Sequence, residues 1–566
     1  MIFINFQSKE ITMDNIDSKA KLVDTHPLVK YYMEQLSLNE LFEKYIPKTD
    51  KMDIAPAEAL KMTVFNIINA PAPLYRVSEW LTGYLDGMGE DPQKAGKFND
   101  DCLGRNLDRL YKADRKQLML ELSAKAIQVH QLETDIVHND STTVTFKGRY
   151  ENQPPDAVQL NYGHNKDFRP DCLQLVLGLN VTEDGHIPLS FKLFDGNQSD
   201  DTTHIANWEE LRAMLGKTDF IYVADCKLCS EKNLDYIDLR NGRFITVVPK
   251  NRSLLKPFKE LLENGEVRWN FAYNVPNNRK PSAQHSFYTF ESDLTEKGYR
   301  LIWVLSAAKA QQDQKTRERR LDKAEEELGA IAEKLNRYHL KTRSQIETAI
   351  DKAPGNEKGL IDINLSEQTT HYKKKVGAGR PGPDSIYEEC AETRYELDWS
   401  GNQEEIDKKA LADGTFPLIT DTELKCVEVL QTYKQQPGLE KRFNTTKSIL
   451  EIAPVFVEKS SRIEAMTFLY FVALMVISLI ERCIRKQMAE ESIETISILP
   501  EKKKTKKPTW NNLRYFFRDV HLSQIFVNDH LVKQTLKGLS ELHLQVLRLL
   551  RVPPSVYLKF NREVER

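Results

Sequence analysis

The sequence predicts an α/β protein in which a mixed sheet flanked by helices follows an all-α domain, is interrupted by a large insertion and precedes a helical extension. Apolar residues recur at helical spacing up to about residue 131. Strand-like segments and helices then alternate between Thr134 and Val248. This alternation stops at about residue 251, and the helical pattern returns from Pro437. Such an order favours a helix-covered sheet with a separate inserted domain.

Composition and charge bound the class of protein. The chain has 566 residues, of which 40% are hydrophobic and 29% are charged, which is typical of a globular protein with several domains. The net charge is −3, so a DNA-binding surface would require local segregation of the 80 basic residues. Seven cysteines are too few for a disulfide framework, and the N-terminus lacks a signal-peptide pattern. We therefore expect a cytoplasmic protein.

The N-terminal segment, residues 1–131, is predicted to be a helical domain. A first helix is indicated up to Pro47 by four apolar residues at helical spacing, Val29, Tyr32, Met33 and Leu36. Proline placement and apolar spacing predict three more helices, near Pro56–Ile68, Asp101–Tyr111 and Asp114–His130.

The next segment, residues 132–250, predicts the first part of a mixed sheet. A β-branched stretch begins at Thr134, and a turn at Glu183–Gly185 joins two further strands. The order that follows is helix, strand, helix, strand. The predicted elements after the first strand are strands Leu173–Val181 and Ile187–Phe194, helix His204–Leu215, strand Phe220–Asp225, helix Ser230–Leu239 and strand Arg243–Val248.

Residues 251–425 predict an insertion domain. Three strand-like pieces precede a charged helical stretch, Lys309–Lys352, in which leucines recur every seven residues at 321, 328 and 335. So short a heptad seam favours an intramolecular helical hairpin over a dimeric coiled coil. Glycine and proline predict a loop at Gly377–Ser385.

The chain returns to helices for the second piece of the core, residues 426–491. Its segment Ala465–Ile480 has 16 uncharged residues, fewer than the roughly 20 that span a bilayer, so we predict a buried core helix and no membrane association. Residues 492–566 contain a basic linker and a short amphipathic helix. The Lys502–Lys507 run in that linker is interpreted equally well as a phosphate contact or as a solvated segment.

Two aspartates lie where strands disfavour them. Asp140 is inside a predicted strand and Asp225 ends another. Burying a carboxylate without a partner is costly, so two carboxylates at the mouth of one sheet suggest a shared cation. Taken alone, a strand-terminal aspartate is more often a turn or cap residue.

A third acidic residue strengthens this interpretation. Glu440 and Lys447 are seven residues apart, so an α-helix would place both on one face, and Pro437 is suited to the start of that helix. An acid that binds a metal and a base that binds a phosphate would then face one cleft. In isolation the same pair is more often a solvated helix face.

The spacing of Tyr433, Gln436, Glu440 and Lys447 resembles the signature of DDE transposases of the bacterial insertion-sequence-four superfamily. That signature has Tyr, two residues, Arg, three residues, Glu, six residues and Lys. Gln436 stands where the family has arginine, which removes a charged, bidentate phosphate contact. Segments that resemble the sixteen-thirty-four-like branch are Leu74–Leu81, Phe98–Tyr111, Gly163–Leu179, Asp184–Asp200 and Asp413–Thr422.

The resemblance implies a ribonuclease-H-like catalytic core with Asp140 on its first strand, Asp225 on its fourth and Glu440 on a later helix. It implies two Mg²⁺ or Mn²⁺ ions bound by these carboxylates, cleavage at the ends of an insertion sequence and 3′-OH strand transfer into target DNA. Tyr433, Gln436 and Lys447 would contact DNA.

The expected partner is double-stranded DNA, as terminal inverted repeats and as target, bound by a dimer in the prokaryotic nucleoid. The N-terminal helices would recognise the repeats. In relatives the inserted domain can hold a flipped base by aromatic stacking, and the candidates here are Trp269, Trp303 and Trp399. Two alternatives use the same resemblance: a related DDE nuclease without strand transfer, and a catalytically inactive DNA-binding derivative.

Other polar residues carry weaker hypotheses. Cys226 and Cys229 form a CxxC pair, but a zinc site needs two more ligands, so packed thiols are favoured. His138 points to the same face of its strand as Asp140, and a packed histidine is favoured over a metal or DNA ligand. Lys166 and Arg169 either contact DNA or are solvated.

Overall fold

The computed structural model describes residues 16–88, 90–148, 150, 153–198, 203–249, 256–276, 284–353, 359–452, 457, 459–527 and 530–563. The first 15 residues, on which the signal-peptide expectation rests, lie outside the described residues. The chain forms two units, one made of Met1–Thr246 with Gln431–Arg566 and the other of Val247–Leu430.

A short strand precedes the N-terminal helices. The elements are β1 (Ile16–Leu22), α1 (His26–Gln35), α2 (Leu38–Tyr45), α3 (Pro56–Asn69), α4 (Val77–Gly87), α5 (Asp100–Lys112) and α6 (Arg115–His130). The single helix expected up to Pro47 is divided at Ser37, whose φ of 50° is left-handed. Side-chain oxygens of Asn99 and Asp114 cap the first turns of α5 and α6. The helices at 56–69, 100–112 and 115–130 agree with prediction.

The mixed sheet that follows has the predicted succession of elements. These are β2 (Ile136–Phe146), β3 (Leu173–Thr182), β4 (Pro188–Phe194), α7 (His204–Leu215), β5 (Ile221–Ala224), α8 (Glu231–Asp238) and β6 (Arg243–Val247). The strand order is β4-β3-β2-β5-β6, with the first three strands antiparallel and β5 and β6 parallel to β2. This is the topology of a ribonuclease-H-like core, so the predicted α/β fold class is confirmed.

The inserted unit is built around a second set of strands. Its elements are α9 (Lys256–Glu263), β7 (Asn270–Pro276), β8 (Gln284–Glu291), β9 (Arg300–Ser306), α10 (Ala307–Ala332), α11 (Arg343–Ile350), β10 (Ile361–Lys375), β11 (Tyr387–Gly401), α12 (Gln403–Ala410) and β12 (Thr415–Thr420). Within it the antiparallel order is β12-β9-β8-β7, and β10 pairs with β11 alone.

The heptad leucines pack inside the inserted unit. Leu328 and Leu335 share one apolar cluster with Ile346 of α11 and Leu397 of β11. The seam is therefore intramolecular, but its partners include a long two-stranded ribbon as well as a second helix. That ribbon was not predicted from the sequence, whereas the loop at Gly377–Ser385 is present and connects its two strands.

The last part of the chain contains helices and strands. Its elements are α13 (Cys426–Tyr433), α14 (Gln436–Asn444), a π-helical turn (Thr445–Ile449), α15 (Ser460–Glu490), α16 (Trp510–Phe517), β13 (His521–Val527), β14 (His530–Lys537), α17 (Glu541–Leu549), α18 (Ser555–Leu558) and β15 (Arg562–Glu563). The helix α15 is long and apolar enough to cross a membrane, but 94% of its most apolar window is buried within the protein. It packs on α3, α5 and β4 as a core helix.

The two ends of the chain form a sheet together, which corrects their expected all-helical character. The strand order is β1-β13-β14-β15, with β1 antiparallel to β13. The partner of β13 is thus about 500 residues away in the sequence, and pairing of this kind depends on tertiary neighbours more than on local propensity.

Candidate active site

The register between β2 and β5 brings two of the predicted carboxylates together. His138 pairs with Val223 at the end of the parallel pair, and Asp140 and Asp225 each follow two residues later. Both aspartates are half-buried and line one small cavity of about 20 Å³. The other polar side chains around this cavity are Asn139, Ser141, Lys192, Thr203, His204 and Asn207.

Local hydrogen bonds fix each aspartate. The Asp225 carboxylate accepts the backbone N–H of Lys227 at 3.0 Å, and its carbonyl accepts the Thr246 hydroxyl at 2.6 Å. The Asp140 carboxylate accepts the backbone N–H of Ser141 at 2.7 Å. The end of β5 is thereby tied to β6, so Asp225 has little backbone freedom.

Glu440 approaches from α14, which packs on β2. Gln436 at the start of α14 accepts a hydrogen bond from His138 Nδ1 at 2.9 Å and donates to the Asn139 carbonyl at 3.2 Å. The helix is therefore bonded to the two residues that precede Asp140. Glu440 itself is exposed.

Tyr433 lies within electrostatic range of all three carboxylates. Burial raises the pKa of its phenol, and the charges of Asp225, Cys226, Asp140 and Glu440 raise that pKa further. The phenol consequently stays protonated and is a hydrogen-bond donor at the edge of the acidic site. Residues separated by 85 and 215 positions in the sequence thus act on one side chain.

The donor chemistry suits a hard divalent cation, because all three acidic groups offer carboxylate oxygens. As placed, no three His, Cys, Asp or Glu side chains among the described residues converge closely enough to form a coordination shell. The positive charge beside Asp140 is the Lys166 amine, 3.8 Å from Oδ1. A cation at this site would therefore compete with Lys166 and would draw the carboxylates together.

Lys447 does not follow from Glu440 by regular helical spacing. The chain changes from α to π geometry at Thr445, so Lys447 lies in a π-helical turn just after α14. The Lys447 amine is bound by both carboxylate oxygens of Asp167 at 2.9 Å. A phosphate would have to replace this ion pair.

The structure also places the other sequence candidates. His138 is fully buried, and burial lowers its pKa to about 4, so it is a neutral packed histidine bonded to Gln436. Arg169 is paired with Asp171 at 2.7 Å, and the Lys166 amine donates to the Ser141 carbonyl at 2.6 Å. Cys226 and Cys229 are not joined in a disulfide.

The tryptophans of the inserted unit differ in accessibility. Trp303 is buried and stacked on Phe258 at 3.5 Å, so its ring faces are covered. Trp399 packs against the apolar cluster of α10. Trp269 is half-buried, edge-on to Phe258. Trp303 is therefore the poorest of the three candidates for stacking on a base.

A buried polar network beneath the aspartates was missed from the sequence. Asn180 of β3 bonds to Asn139, Ser190 and Asn207, and Asn207 donates to the Tyr222 hydroxyl at 2.8 Å. The available signal was the presence of asparagine inside apolar strands, which disfavour it. The network links β2, β3, β4, β5 and α7, and it fixes the strand that carries Asp140.

A sheet of this topology with acidic side chains at the mouth of its first and fourth strands is the arrangement of a nucleic-acid-processing enzyme. Residues 131–476, more than half of the chain, match the family described as Transposase DDE domain, and the chain belongs to that family. The predicted resemblance to DDE transposases is thereby confirmed at the level of the family. Residues 18–124 match a domain of unknown function, DUF4277.

Two solved transposase structures are similar to the chain at low identity. One is the piggyBac transposase synaptic complex with hairpin DNA, with 9% identity and a TM-score of 0.35 over 88% of this chain and 82% of that chain. The other is the Mos1 transposase paired-end complex with the left transposon end, with 10% identity and a TM-score of 0.14 over 35% and 60%. No curated protein matches the sequence significantly.

Proposed function

We propose that this transposase cuts DNA at the ends of an insertion sequence and joins the resulting 3′-OH to target DNA, with Asp140, Asp225 and Glu440 as its catalytic carboxylates. The observation that carries the proposal is that Asp140 and Asp225 line one cavity, while Gln436 bonds the helix of Glu440 to the strand of Asp140. We further propose that the chain belongs to the insertion-sequence-four superfamily, on the signature around Glu440, and to its sixteen-thirty-four-like branch, on the five segments that resemble that branch.

The three carboxylates would hold two Mg²⁺ or Mn²⁺ ions. When bound, such ions activate water or a 3′-OH and stabilise the leaving oxygen of an in-line displacement. The chain's own residues orient the reaction. The Tyr433 phenol would donate a hydrogen bond to a phosphate oxygen, and Lys447 would exchange Asp167 for a phosphate. Gln436 holds α14 against the strand of Asp140.

Separate domains would recognise the DNA ends, catalyse the reaction and hold the DNA. Residues 1–131 would recognise the terminal repeats, 132–250 with 426–491 would catalyse, and 251–425 would clamp the DNA. Residues 492–566 would add phosphate contacts through exposed lysines between 502 and 507. Two copies would act on one pair of ends, in the cytoplasm at the nucleoid, because transposition must bring the two ends together.

The test is a cleavage and joining assay with purified protein, Mg²⁺ or Mn²⁺, and the DNA that flanks the gene. Wild type is compared with Asp140→Asn and Asp225→Asn. We expect nicks at a repeat end and joined products from wild type, and DNA binding without products from both variants. Cleavage without joined products would instead support the nuclease alternative. Binding without cleavage by wild type would support the inactive derivative.

A further inference from the structure

The loop between β2 and β3 presents an aromatic ring to solvent beside the acidic site. Phe168 is 91% exposed, more than any other large hydrophobic side chain in the described part of the chain. Its φ of 57° is left-handed, a region that bulky residues rarely adopt. An exposed ring and a strained backbone both disfavour this arrangement in the free protein.

The loop is nevertheless firmly built. The Asn165 side chain accepts the backbone N–H groups of Asp167 at 2.7 Å and Arg169 at 3.3 Å, and the Phe168 N–H donates to the Asn165 carbonyl at 3.2 Å. The Asn165 amide also donates to the Thr145 hydroxyl at 3.2 Å. The backbone that carries the ring is thus fixed by hydrogen bonds on both sides of Phe168.

The same loop is bonded to the strand that carries Asp140. The Lys166 backbone N–H donates to the Thr143 hydroxyl at 3.0 Å, and the Lys166 amine lies 3.8 Å from Asp140 Oδ1. Asp167 pairs with Lys447. Phe168 therefore follows directly after two residues that contact the acidic site or its phosphate-binding lysine.

We propose that Phe168 stacks against a DNA base next to the phosphate that is cut, and that it acts as a wedge that positions the DNA strand. This inference rests on the proposed function. The Lys166 and Lys447 ammonium groups would bind flanking phosphates, while the ring stacks on the flat face that every base offers. Apolar wedges of this kind unstack a base step and bend the duplex.

The experiment compares Phe168→Ala with Phe168→Trp, and uses Leu239→Ala as a matched control. Leu239 is 80% exposed and lies at the end of α8. Each protein cuts an intact end duplex and the same duplex with a single mismatch moved across the cleavage position. Unchanged thermal unfolding would show that each variant folds, as expected for side chains that contact solvent.

We expect Phe168→Ala to cut the intact duplex about 10- to 100-fold more slowly, the range for loss of one base stack. Phe168→Trp and Leu239→Ala should remain close to wild type. A mismatch at the stacked position should restore much of the rate of Phe168→Ala, because that base is already easier to unstack. Equal rates for Phe168→Ala and Leu239→Ala, or a loss that no mismatch relieves, would overturn the proposal.

A binding measurement separates this inference from the proposed function. In the Asp140→Asn background, 2-aminopurine at the stacked position should change its fluorescence on binding, and adding Phe168→Ala should abolish the change. If wild type fails to cut DNA but this signal depends on Phe168, the proposed reaction falls and the stacking stands. A signal that is identical with and without the ring overturns the stacking.

Discussion

Two basic residues, one in α14 and one just after it, form ion pairs in opposite environments. Arg442 points inward, pairs with Glu481 at 2.8 Å and donates to the carbonyls of Gly185 and His186, and the side chains of the pair are 5% and 7% exposed. Lys447, just beyond the helix, pairs with Asp167 at 2.9 Å, with side chains 25% and 43% exposed.

This difference distinguishes two parts of the segment. The anchor is the buried pair of Arg442 and Glu481, and the working surface is formed by Glu440 and Lys447. Burial alone would raise the pKa of Glu481, but the charges of Arg442 and Arg485 and the Trp510 N–H hold that pKa below its ordinary value. Removing Arg442 would leave the Glu481 charge buried without its shortest ion pair, which is strongly unfavourable. An exposed pair contributes little and can be exchanged for a ligand. Arg442 thus fixes the helix through buried partners, whereas Glu440 and Lys447 remain at least partly accessible to solvent.

The largest expected effect comes from Glu440→Gln, which tests the working surface directly. Cleavage should fall by at least about 10³-fold, the scale for a group that acts in the transition state. Stability should not change, since Glu440 is exposed. Glu231→Gln, at an exposed glutamate in the first turn of α8, is the control and should retain full activity. Full activity in Glu440→Gln would remove this residue from the catalytic set.

Arg442→Ala tests the anchor and should destabilise the protein by about 3–5 kcal/mol, because Glu481 would remain buried without its main partner. Urea unfolding measures this loss. Lys441→Ala, at an exposed position on the same helix, should change stability by less than about 0.5 kcal/mol. The double variant Arg442→Met with Glu481→Leu should lose less than Arg442→Ala alone. Equal stability of Arg442→Ala and wild type would contradict the division between the anchor and the working surface.

Lys447→Ala and Asp167→Asn separate a phosphate contact from a contact that only holds the loop. Lys447→Ala should weaken DNA binding by about 1.5–3 kcal/mol and reduce the salt dependence by about one ion. Asp167→Asn frees the amine, so it should keep or increase DNA affinity. Titrations at several salt concentrations measure both quantities. Equal losses in the two variants would mean that Lys447 only holds the loop.

The smallest expected effect is on the pH dependence of stability, and it concerns the buried His26 and not the pair of Arg442 and Glu481. Burial lowers the pKa of His26 from 6.5 to about 3, and no described residue is a hydrogen-bond partner of its Nδ1. Its contribution to stability is complete above about pH 6.5 and declines as pH falls towards 3, since the unfolded state binds the extra proton. The Glu481 carboxylate stays charged in the upper part of this range, because its pKa is lowered.

His26→Phe should therefore reduce the fall in Tm between pH 7 and pH 5. The replacement ring fits an aromatic environment, with Phe65 and Tyr84 at 5.8 and 5.0 Å. Thermal unfolding of wild type and variant at both pH values measures the difference. Parallel curves would show that His26 takes up no proton on unfolding in this range.

Prediction succeeded where the signal is local. The five core strands and their two helices agree with the sequence pattern to within one or two residues, because each has its own apolar run and turn residues. The strands β1 and β13 pair across about 500 residues of sequence, which a local pattern cannot show, and β14, which pairs with its neighbour β13, was also missed. The ribbon of β10 and β11 is largely exposed, so it lacks the apolar alternation that reveals a half-buried strand.

The same distinction holds at the candidate site. Aspartates inside or at the end of apolar strands were conspicuous in the sequence, as was the spacing from Tyr433 to Lys447. The partners of these residues were not. The bonds of Gln436 to His138 and Asn139, and the pairing of Lys447 with Asp167, depend on how a loop and a helix pack on β2.

The sequence by itself predicted the order of elements in the core, the candidate acidic residues and the family of the chain. It could do so because periodicity, residue type and spacing are properties of short segments. Only the tertiary structure decided which charges became an anchor and which remained available, and it alone exposed Phe168 at the edge of the acidic site. Burial and hydrogen bonding between distant segments set those outcomes, and neither quantity is written in a local pattern.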